Sequence, residues 1–207
     1  MKTKLNVWAL AALTLLVSCN KDDKITGEQS PMGEVGNIVS SSSGTIAGVS
    51  AFSAEVISLN NGVSTYTGSA TVTNEAIKSI LSNAPECTVN GNQITASNIK
   101  FKSTLEGIEA VSGLDPGVIV KYDAKVGDKY SIGSSKKTRE VVSRSTDDDY
   151  MYGFFLIKAI QVEEYPGKMG VDKITYWANH RFGLVGIQFN FDDGTIAKFP
   201  VYNSFEN

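Results

Sequence analysis

Alternating polarity in residues 184–191 is the feature that most constrains the fold. Every second residue from 185 to 191 is apolar, namely Val185, Ile187, Phe189 and Phe191, and the residues between them are Gly186, Gln188 and Asn190. A period of two places the apolar side chains on one face of a half-buried β-strand. The turn sequence Asp192-Asp193-Gly194 follows, and Asp-Gly is a strong hairpin signal. The segment therefore predicts an antiparallel hairpin whose second strand lies in residues 195–202.

Similar runs of β-branched and aromatic residues, separated by turn signals, extend over most of residues 45–207. Residues 45–59 and 65–72 flank Asn60-Asn61-Gly62, which predicts another hairpin. Further strands are predicted at 87–89, 93–102, 118–122, 129–132, 140–143 and 171–178. The almost continuously apolar run 154–162 predicts a central strand that is covered on both faces.

A single helix is predicted near the start of this domain, in residues 74–81. Its apolar residues fall on one helical face, and Pro85 ends the run; they are Ala76, Ile77, Ile80 and Leu81. The predicted fold class is therefore mostly β, a β-rich α+β chain with antiparallel strands and one short helix. A curled sheet, a half-open barrel and a sandwich are all compatible with these patterns.

The amino terminus has the pattern of a secretion signal. Lys2 and Lys4 precede an almost wholly apolar run, residues 5–17. That run is too short for a transmembrane helix, which needs roughly 20 apolar residues, but it fits the centre of a signal peptide. It ends in Leu16-Val17-Ser18-Cys19, which resembles a bacterial lipobox. The resemblance implies cleavage before Cys19 and acylation of Cys19, so that fatty chains tether the protein to a membrane that it does not span.

The residues after Cys19 predict a tag and a linker. Asn20-Lys21-Asp22-Asp23-Lys24 resembles the export tag of surface lipoproteins of the Bacteroidetes, which implies an outer-membrane protein that faces outward; an ordinary polar linker is the alternative. Residues 24–44 contain Gly, Ser, Pro and scattered charge without a sustained period, which is typical of a flexible stalk. The predicted organisation is a signal peptide at 1–18, a lipid-anchored linker at 19–44 and a single β-rich domain at 45–207.

Charge and cysteine content limit the possible partners and bonds. Removing residues 1–18 removes two lysines and no acid, so the formal charge becomes (19 − 2) − 22 = −5. A net negative chain without a basic patch argues against nucleic acid as a partner, because phosphate binding needs clustered Lys and Arg. With Cys19 acylated, Cys87 is the only thiol left, so no intramolecular disulfide can form.

Catalytic and metal-binding motifs are poorly represented, and we predict no catalytic residue, metal or cofactor. His180 is the one histidine, and it more plausibly lies in a loop between two strands than in a catalytic triad. Asp147-Asp148-Asp149 supplies oxygens for calcium but matches no EF-hand loop, which favours a solvated acidic turn. Adjacent acids such as Glu163-Glu164 point to opposite faces of a strand, so they form no local catalytic pair.

Aromatic residues in the last third are the candidates for ligand binding. Their rings can stack on the C–H surfaces of sugars or on apolar ligands, and the candidates are Tyr165, Tyr176, Trp177 and Tyr202. Core packing, the ordinary use of Tyr and Trp in β proteins, is the alternative.

Several motifs between about residue 121 and residue 195 resemble a group of uncharacterised Bacteroidetes lipoprotein domains. They are "YDAKVGDKYSI", "REVVSRSTDDDY", "LIKAIQVEE" and "ITYWANHRFGLVGIQFNFDDGT". The group carries no assigned activity. Its pattern implies that Asn179, His180 and Gly183 shape a turn between paired strands.

The leading functional expectation is a surface lipoprotein that acts as a non-catalytic binding or accessory module, with a glycan, a lipid or a host protein as ligand. A carboxylate-dependent hydrolase is the first alternative, and a cleft with two carboxyl groups roughly 5–10 Å apart would favour it. A structural role in an envelope or adhesive assembly is the second, and an exposed sheet edge would favour that role.

Overall fold

Antiparallel strands make up nearly all of the regular structure. The computed structural model describes residues 24–113, 115–133, 137–167 and 170–207. The elements in chain order are a 3₁₀ helix (Pro31–Gly33), β1 (Ile38–Ser40), β2 (Val49–Asn60), β3 (Val63–Val72), α1 (Glu75–Ser82), β4 (Cys87–Asn90), β5 (Gln93–Thr104), β6 (Gly107–Ala110), β7 (Gly117–Lys121), β8 (Lys129–Ser131), β9 (Thr138–Arg144), β10 (Tyr150–Tyr152), β11 (Phe155–Ile157), β12 (Ile160–Glu164), β13 (Val171–Asn179), β14 (Gly183–Phe191), β15 (Ile196–Pro200) and β16 (Tyr202–Asn203). The predicted mostly β fold class is confirmed.

The first sheet is a strongly curled half-barrel, which selects one of the three architectures that the sequence left open. Its strand order is β16-β1-β2-β3-β5-β6-β7, with β4 beside β5. The long strands β2, β3 and β5 carry irregular register at Val56/Ser58 and Tyr66/Gly68, where an extra residue bends the strand. Gly68 lies against the backbone and Cβ of Ala54, so a side chain at position 68 would prevent this close approach.

The second sheet has the strand order β15-β14-β13-β12-β9-β8. The main core lies between the two sheets: Val118 and Val120 come from β7 of the first sheet, and Val141 and Val162 come from β9 and β12 of the second. These four side chains are fully buried. The C-terminal segment links the two sheets, because its strand β15 pairs with β14 of the second sheet and its strand β16 pairs with β1 of the first.

The predicted helix is confirmed as α1. Asn74 is its N-cap, and the Asn74 side chain accepts a hydrogen bond of 3.1 Å from the Ile77 backbone N–H. Ile77, Ile80 and Leu81 pack into a second core cluster, beside Val72 and Phe191. No helix in the described ranges has the length and apolar character that a membrane crossing requires.

The predicted flexible linker is wrong over most of residues 24–44. Ile25 is only 2% exposed and belongs to the main core, and Met32 is also buried. β1 forms part of the first sheet, between β2 and β16. The segment lacks a hydrophobic period because it is mostly irregular, and side-chain hydrogen bonds such as that from the Asn37 amide to the Met32 carbonyl (2.6 Å) hold it in place.

The predicted central strand at 154–162 is also wrong in part. Gly153, with φ +61°, turns the chain between β10 and β11, so the apolar run begins in a hairpin. Only β12 is central, since it pairs with β13 and β9. Phe154 at the tip of the hairpin is fully exposed. Apolar content alone could not distinguish a buried strand from a hairpin with an exposed apolar face.

Candidate binding site

The outward face of the second sheet, which we call the outer face, is polar except at one end. The register aligns Gln161, Trp177 and Gly186 across three neighbouring strands, and it aligns Thr175 with Gln188 in the next row. Because alternate residues point to the same side of a strand, Gln161, Glu163, Thr175 and Trp177 share this face. Val162 and Tyr176 point into the core instead.

A recess of about 220 Å³ opens at the apolar end of the outer face. Its lining residues are Ser143, Ser145, Asp149, Tyr150, Ala159, Gln161 and Trp177. They come from the end of β9, from the loop that follows it, from the link between β11 and β12, and from β10, β12 and β13. The recess is smaller than the 300–1,000 Å³ typical of drug-sized ligand sites, so it suits one small polar unit of a larger ligand.

Two stacked aromatic rings form one wall of the recess. The Tyr150 and Trp177 ring centroids are 5.8 Å apart with an interplanar angle of 30°. Tyr150 can lie here because its neighbour on β14 is Gly186, where a Cβ would overlap the Tyr150 hydroxyl. The partial burial of this ring raises the pKa of Tyr150 to about 12, so its hydroxyl stays neutral at physiological pH.

Lys198 of β15 places its ammonium group beside both rings. Lys198 Nζ is 4.1 Å from the Trp177 ring centroid and 4.6 Å from that of Tyr150. A cation in this position is attracted by the ring quadrupole. Partial desolvation beside the rings lowers the pKa of Lys198. The two rings are therefore held in place by their stacking and by the cation–π contacts of both with Lys198.

Hydrogen-bonding side chains continue along the outer face away from the recess. Glu163 Oε1 accepts a hydrogen bond from the Gln161 amide at 3.3 Å and forms an ion pair with Lys173 Nζ at 2.9 Å. The Gln188 amide donates to Asn190 Oδ1 at 2.8 Å. These groups leave donors and acceptors at the surface, which can bind a polar ligand that extends beyond the recess.

The structure brings two of the four predicted aromatic residues to this surface. Trp177 lines the recess, and the exposed Tyr165 lies beside Glu163, with 3.4 Å between its hydroxyl and Glu163 Oε2. Tyr176 instead packs against the main core and donates a hydrogen bond to Glu164 at 3.0 Å. Tyr202 packs on Tyr152, with 5.3 Å between the ring centroids. Tyr176 and Tyr202 therefore serve the core, the alternative that the sequence already offered.

No sequence motif identifies the other residues of the recess. Ser143, Ser145 and Gln161 are ordinary strand and loop residues in sequence, and only the register and the path of the loop after β9 bring them together. Asp149 belongs to the predicted acidic turn, and its carboxylate accepts a hydrogen bond from the Ser145 hydroxyl. Asp147 and Asp148 are exposed, as the turn predicts.

The remaining candidates for chemistry lie apart from the recess. His180 is exposed in the turn between β13 and β14, where Asn179 Oδ1 accepts hydrogen bonds from the backbone N–H groups of Arg181 (2.8 Å) and Phe182 (3.2 Å). Burial, followed by the charge of Glu86, raises the pKa of Cys87. Within the described ranges, no group of three or more His, Cys, Asp or Glu side chains could hold a metal ion.

A second, larger groove has a volume of about 570 Å³. Arg144 lines this groove, whereas its chain neighbours Ser143 and Ser145 line the recess. The lining residues of the groove are Ile25, Leu105, Glu106, Lys121, Tyr122, Asp123 and Arg144. Glu106 and Asp123 are two carboxylates in one groove, but both side chains are exposed and basic groups of Lys121 and Arg144 lie beside them. Both carboxylates are exposed to solvent, whereas a general acid needs burial among apolar groups to keep its proton near neutral pH. The residues that line this groove include no stacked aromatic pair on which a ligand could pack. We therefore assign the candidate site to the recess.

Comparison with protein-family models, curated proteins and solved structures finds no match to this chain.

Proposed function

We propose that this protein is a bacterial surface lipoprotein, anchored through Cys19, whose β-rich domain is a non-catalytic glycan-binding module. The observation that carries this proposal is the recess, where the stacked pair Tyr150 and Trp177 stands beside Ser143, Ser145 and Gln161. The anchor rests on the tetrapeptide that ends at Cys19 and on the apolar run before it.

A sugar fits the two kinds of lining in the recess. One side of a pyranose ring presents C–H groups, which pack against the electron-rich face of an aromatic ring. Its hydroxyls need donors and acceptors, which the serine hydroxyls, the Gln161 amide and the Asp149 carboxylate provide. The polar row from Gln161 to Tyr165 supplies further partners for neighbouring units of an oligosaccharide.

The same lining supports binding without hydrolysis. A glycosidase ordinarily uses two carboxyl groups on either side of the scissile bond. Of the residues that line the recess, Asp149 alone carries a carboxyl group, and the Ser145 hydroxyl already donates to it. An acyl chain would leave the polar groups of the recess without partners, which disfavours a lipid as the ligand.

The test is a glycan array probed with the purified protein, followed by titration of each positive glycan. We expect Trp177→Ala to weaken binding about tenfold or more, because it removes the aromatic wall. We expect Gly186→Ala to weaken binding as well, since its methyl group displaces the Tyr150 ring without touching the sugar.

Two matched variants serve as controls for this test. Phe52→Ala removes an exposed aromatic ring from the first sheet, and Gly44→Ala adds a methyl group where no atom lies within 4 Å. Both should bind as the unmodified protein does. An array without any positive glycan, or a positive glycan that binds Trp177→Ala at full affinity, would overturn the proposal.

A further inference from the structure

The hairpin formed by β10 and β11 is apolar on both of its faces. Tyr150 pairs with Ile157 and Tyr152 with Phe155. Tyr150, Tyr152 and Ile157 pack on the domain, and the half-exposed Phe155 ring contacts the rings of Tyr152 and Phe182. Met151 pairs with Leu156, and this pair points away from the domain. The exposed fractions are 105% for Phe154 at the tip, 65% for Met151, 50% for Phe155 and 48% for Leu156. The exposed tip, Met151 with residues 154–156, is therefore a contiguous apolar surface.

An exposed apolar surface of this kind indicates a site of interaction. A two-stranded hairpin is marginal on its own, and this one gains stability only from the face that packs on Val185 and Phe182. The outward pair adds nothing to that packing and exposes apolar area to water. Contiguous exposed apolar residues on a soluble domain mark sites of interaction with a protein or a membrane.

The hairpin lies near the described N-terminal segment, which begins beside the buried Ile25. Ile25 and Arg144 line the same groove, and the flanking residues Ser143 and Ser145 line the recess with Tyr150 of the hairpin. Further along the N-terminal segment, a Cβ at Gly183 would contact the Met32 side chain. The adjacent Phe182 ring packs on Phe155, with 5.7 Å between the centroids.

The distance available between the anchor and the domain is short. Ile25 already belongs to the main core, and it follows Cys19 by six residues. Six residues of extended chain span at most about 20 Å. If Cys19 is acylated, the end of the domain that carries Ile25 therefore stays close to the lipid headgroups, and a stalk of residues 24–44 cannot lift it away.

We propose that the exposed tip inserts into the interface of the membrane that holds the acyl chains of Cys19, as a second contact that fixes the orientation of the domain. This inference rests on the lipid anchor of the proposed function. A bilayer fits better than a protein, because a stable protein interface uses roughly 20–30 residues a side and the tip offers four side chains. Apolar side chains at an interface enter about 5–10 Å into the headgroup and acyl boundary.

The test uses the acylated protein in vesicles of phosphatidylcholine and phosphatidylethanolamine with brominated acyl chains, which quench tryptophan fluorescence on contact. Phe154→Trp places a reporter in the tip. Ile196→Trp is the matched control: Ile196 is also exposed, but it pairs with Asn190, at the opposite end of β14 from the hairpin. Trp177 gives the same background in both variants. We expect the reporter at position 154 to be quenched about twofold or more relative to the reporter at position 196, given the depth of interfacial insertion.

The other outcomes separate the two proposals. If the protein floats with the vesicles and neither reporter is quenched, the anchor stands and the insertion is wrong. If the reporter at position 154 shows blue-shifted emission without quenching, a protein surface covers the tip and the insertion is again wrong. If the protein does not float with the vesicles, the anchor fails and this inference fails with it.

Discussion

At the scale of single residues, Arg139 joins the two sheets. Arg139 Nε donates to Glu164 Oε2 at 2.8 Å within the second sheet. Its other nitrogens donate to carbonyls beside and within β7, the last strand of the first sheet: Gly117 (3.2 Å), Val118 (3.1 Å) and Asp115 (2.6 Å). The Arg139 and Glu164 side chains are only 2% and 0% exposed. The guanidinium thus satisfies carbonyls that a further strand would otherwise bind.

We expect Arg139→Ala to lower the free energy of unfolding by about 3–5 kcal/mol, because it leaves the buried Glu164 carboxylate without its cationic partner and several carbonyls without their donor. Arg139→Lys keeps the charge but not the fork of donors, so its loss should be intermediate. Urea denaturation followed by fluorescence measures both.

Lys129→Ala is the control for the buried ion pair. Lys129 pairs with Glu140 at 3.0 Å on the surface, where both side chains are largely exposed. Such pairs contribute about 0–1 kcal/mol. Equal losses for Arg139→Ala and Lys129→Ala would contradict the role assigned to Arg139.

At the scale of elements, the N-terminal segment is part of the domain. Asn37 lies at its centre: the Asn37 amide donates to the Met32 carbonyl at 2.6 Å, and Asn37 Oδ1 accepts from the Ser204 hydroxyl (3.1 Å) and from the Phe205 backbone N–H (3.0 Å). Ser30 donates to Asn207 at 2.6 Å. The two ends of the described chain are therefore held together by side chains rather than by a long strand pair.

Ile25→Ala tests whether this segment stabilises the fold. We expect a loss of about 2–5 kcal/mol in the free energy of unfolding, the range for truncating a buried Ile. Val35→Ala, in the same segment but exposed, should change it by less than about 0.5 kcal/mol. A flexible linker would give no loss for either variant, so urea denaturation of the pair distinguishes the two descriptions.

At the scale of the whole molecule, buried tyrosines distributed over both sheets determine the response to alkaline pH. Desolvation by burial raises the pKa of Tyr66 and of Tyr130 to about 12, from an ordinary value of 10.0. Desolvation also raises the pKa of Tyr122 and of Tyr176. In each case the folded protein holds a proton that the unfolded chain releases at lower pH.

We therefore expect stability to fall as pH rises from about 10 to about 12, because the unfolded state then binds fewer protons than the folded state. Below about pH 10 the tyrosines are neutral in both states and contribute no slope. Urea midpoints across this range, with tyrosinate absorbance as a second reading, measure the loss. Tyr66→Phe removes one of these groups and should make the decline shallower. A midpoint that stays constant up to about pH 12 would contradict the prediction.

The sequence by itself determined the features that depend on neighbouring residues. The alternation in residues 185–191 predicted β14, and Asn61-Gly62 predicted the turn between β2 and β3, where both residues have positive φ. The helical spacing of the apolar residues in 74–81, with Pro85 after them, predicted α1. In each case the physical cause acts within a few residues, so the local pattern is sufficient.

The tertiary structure alone decided which strands pair and what their faces meet. Residues 195–202 predicted one strand, but β15 and β16 join different sheets. The run 154–162 contains two strands with different partners: β11 pairs with β10 in the hairpin, and β12 pairs with β13 in the second sheet. The turn of the hairpin leaves Phe154 in solvent. The recess exists because the register places Trp177 beside Gln161 and because the Tyr150 side chain lies in the space that Gly186 leaves. Pairing and register follow from long-range packing, which buries each face against partners distant in sequence, and a local pattern carries no record of those partners.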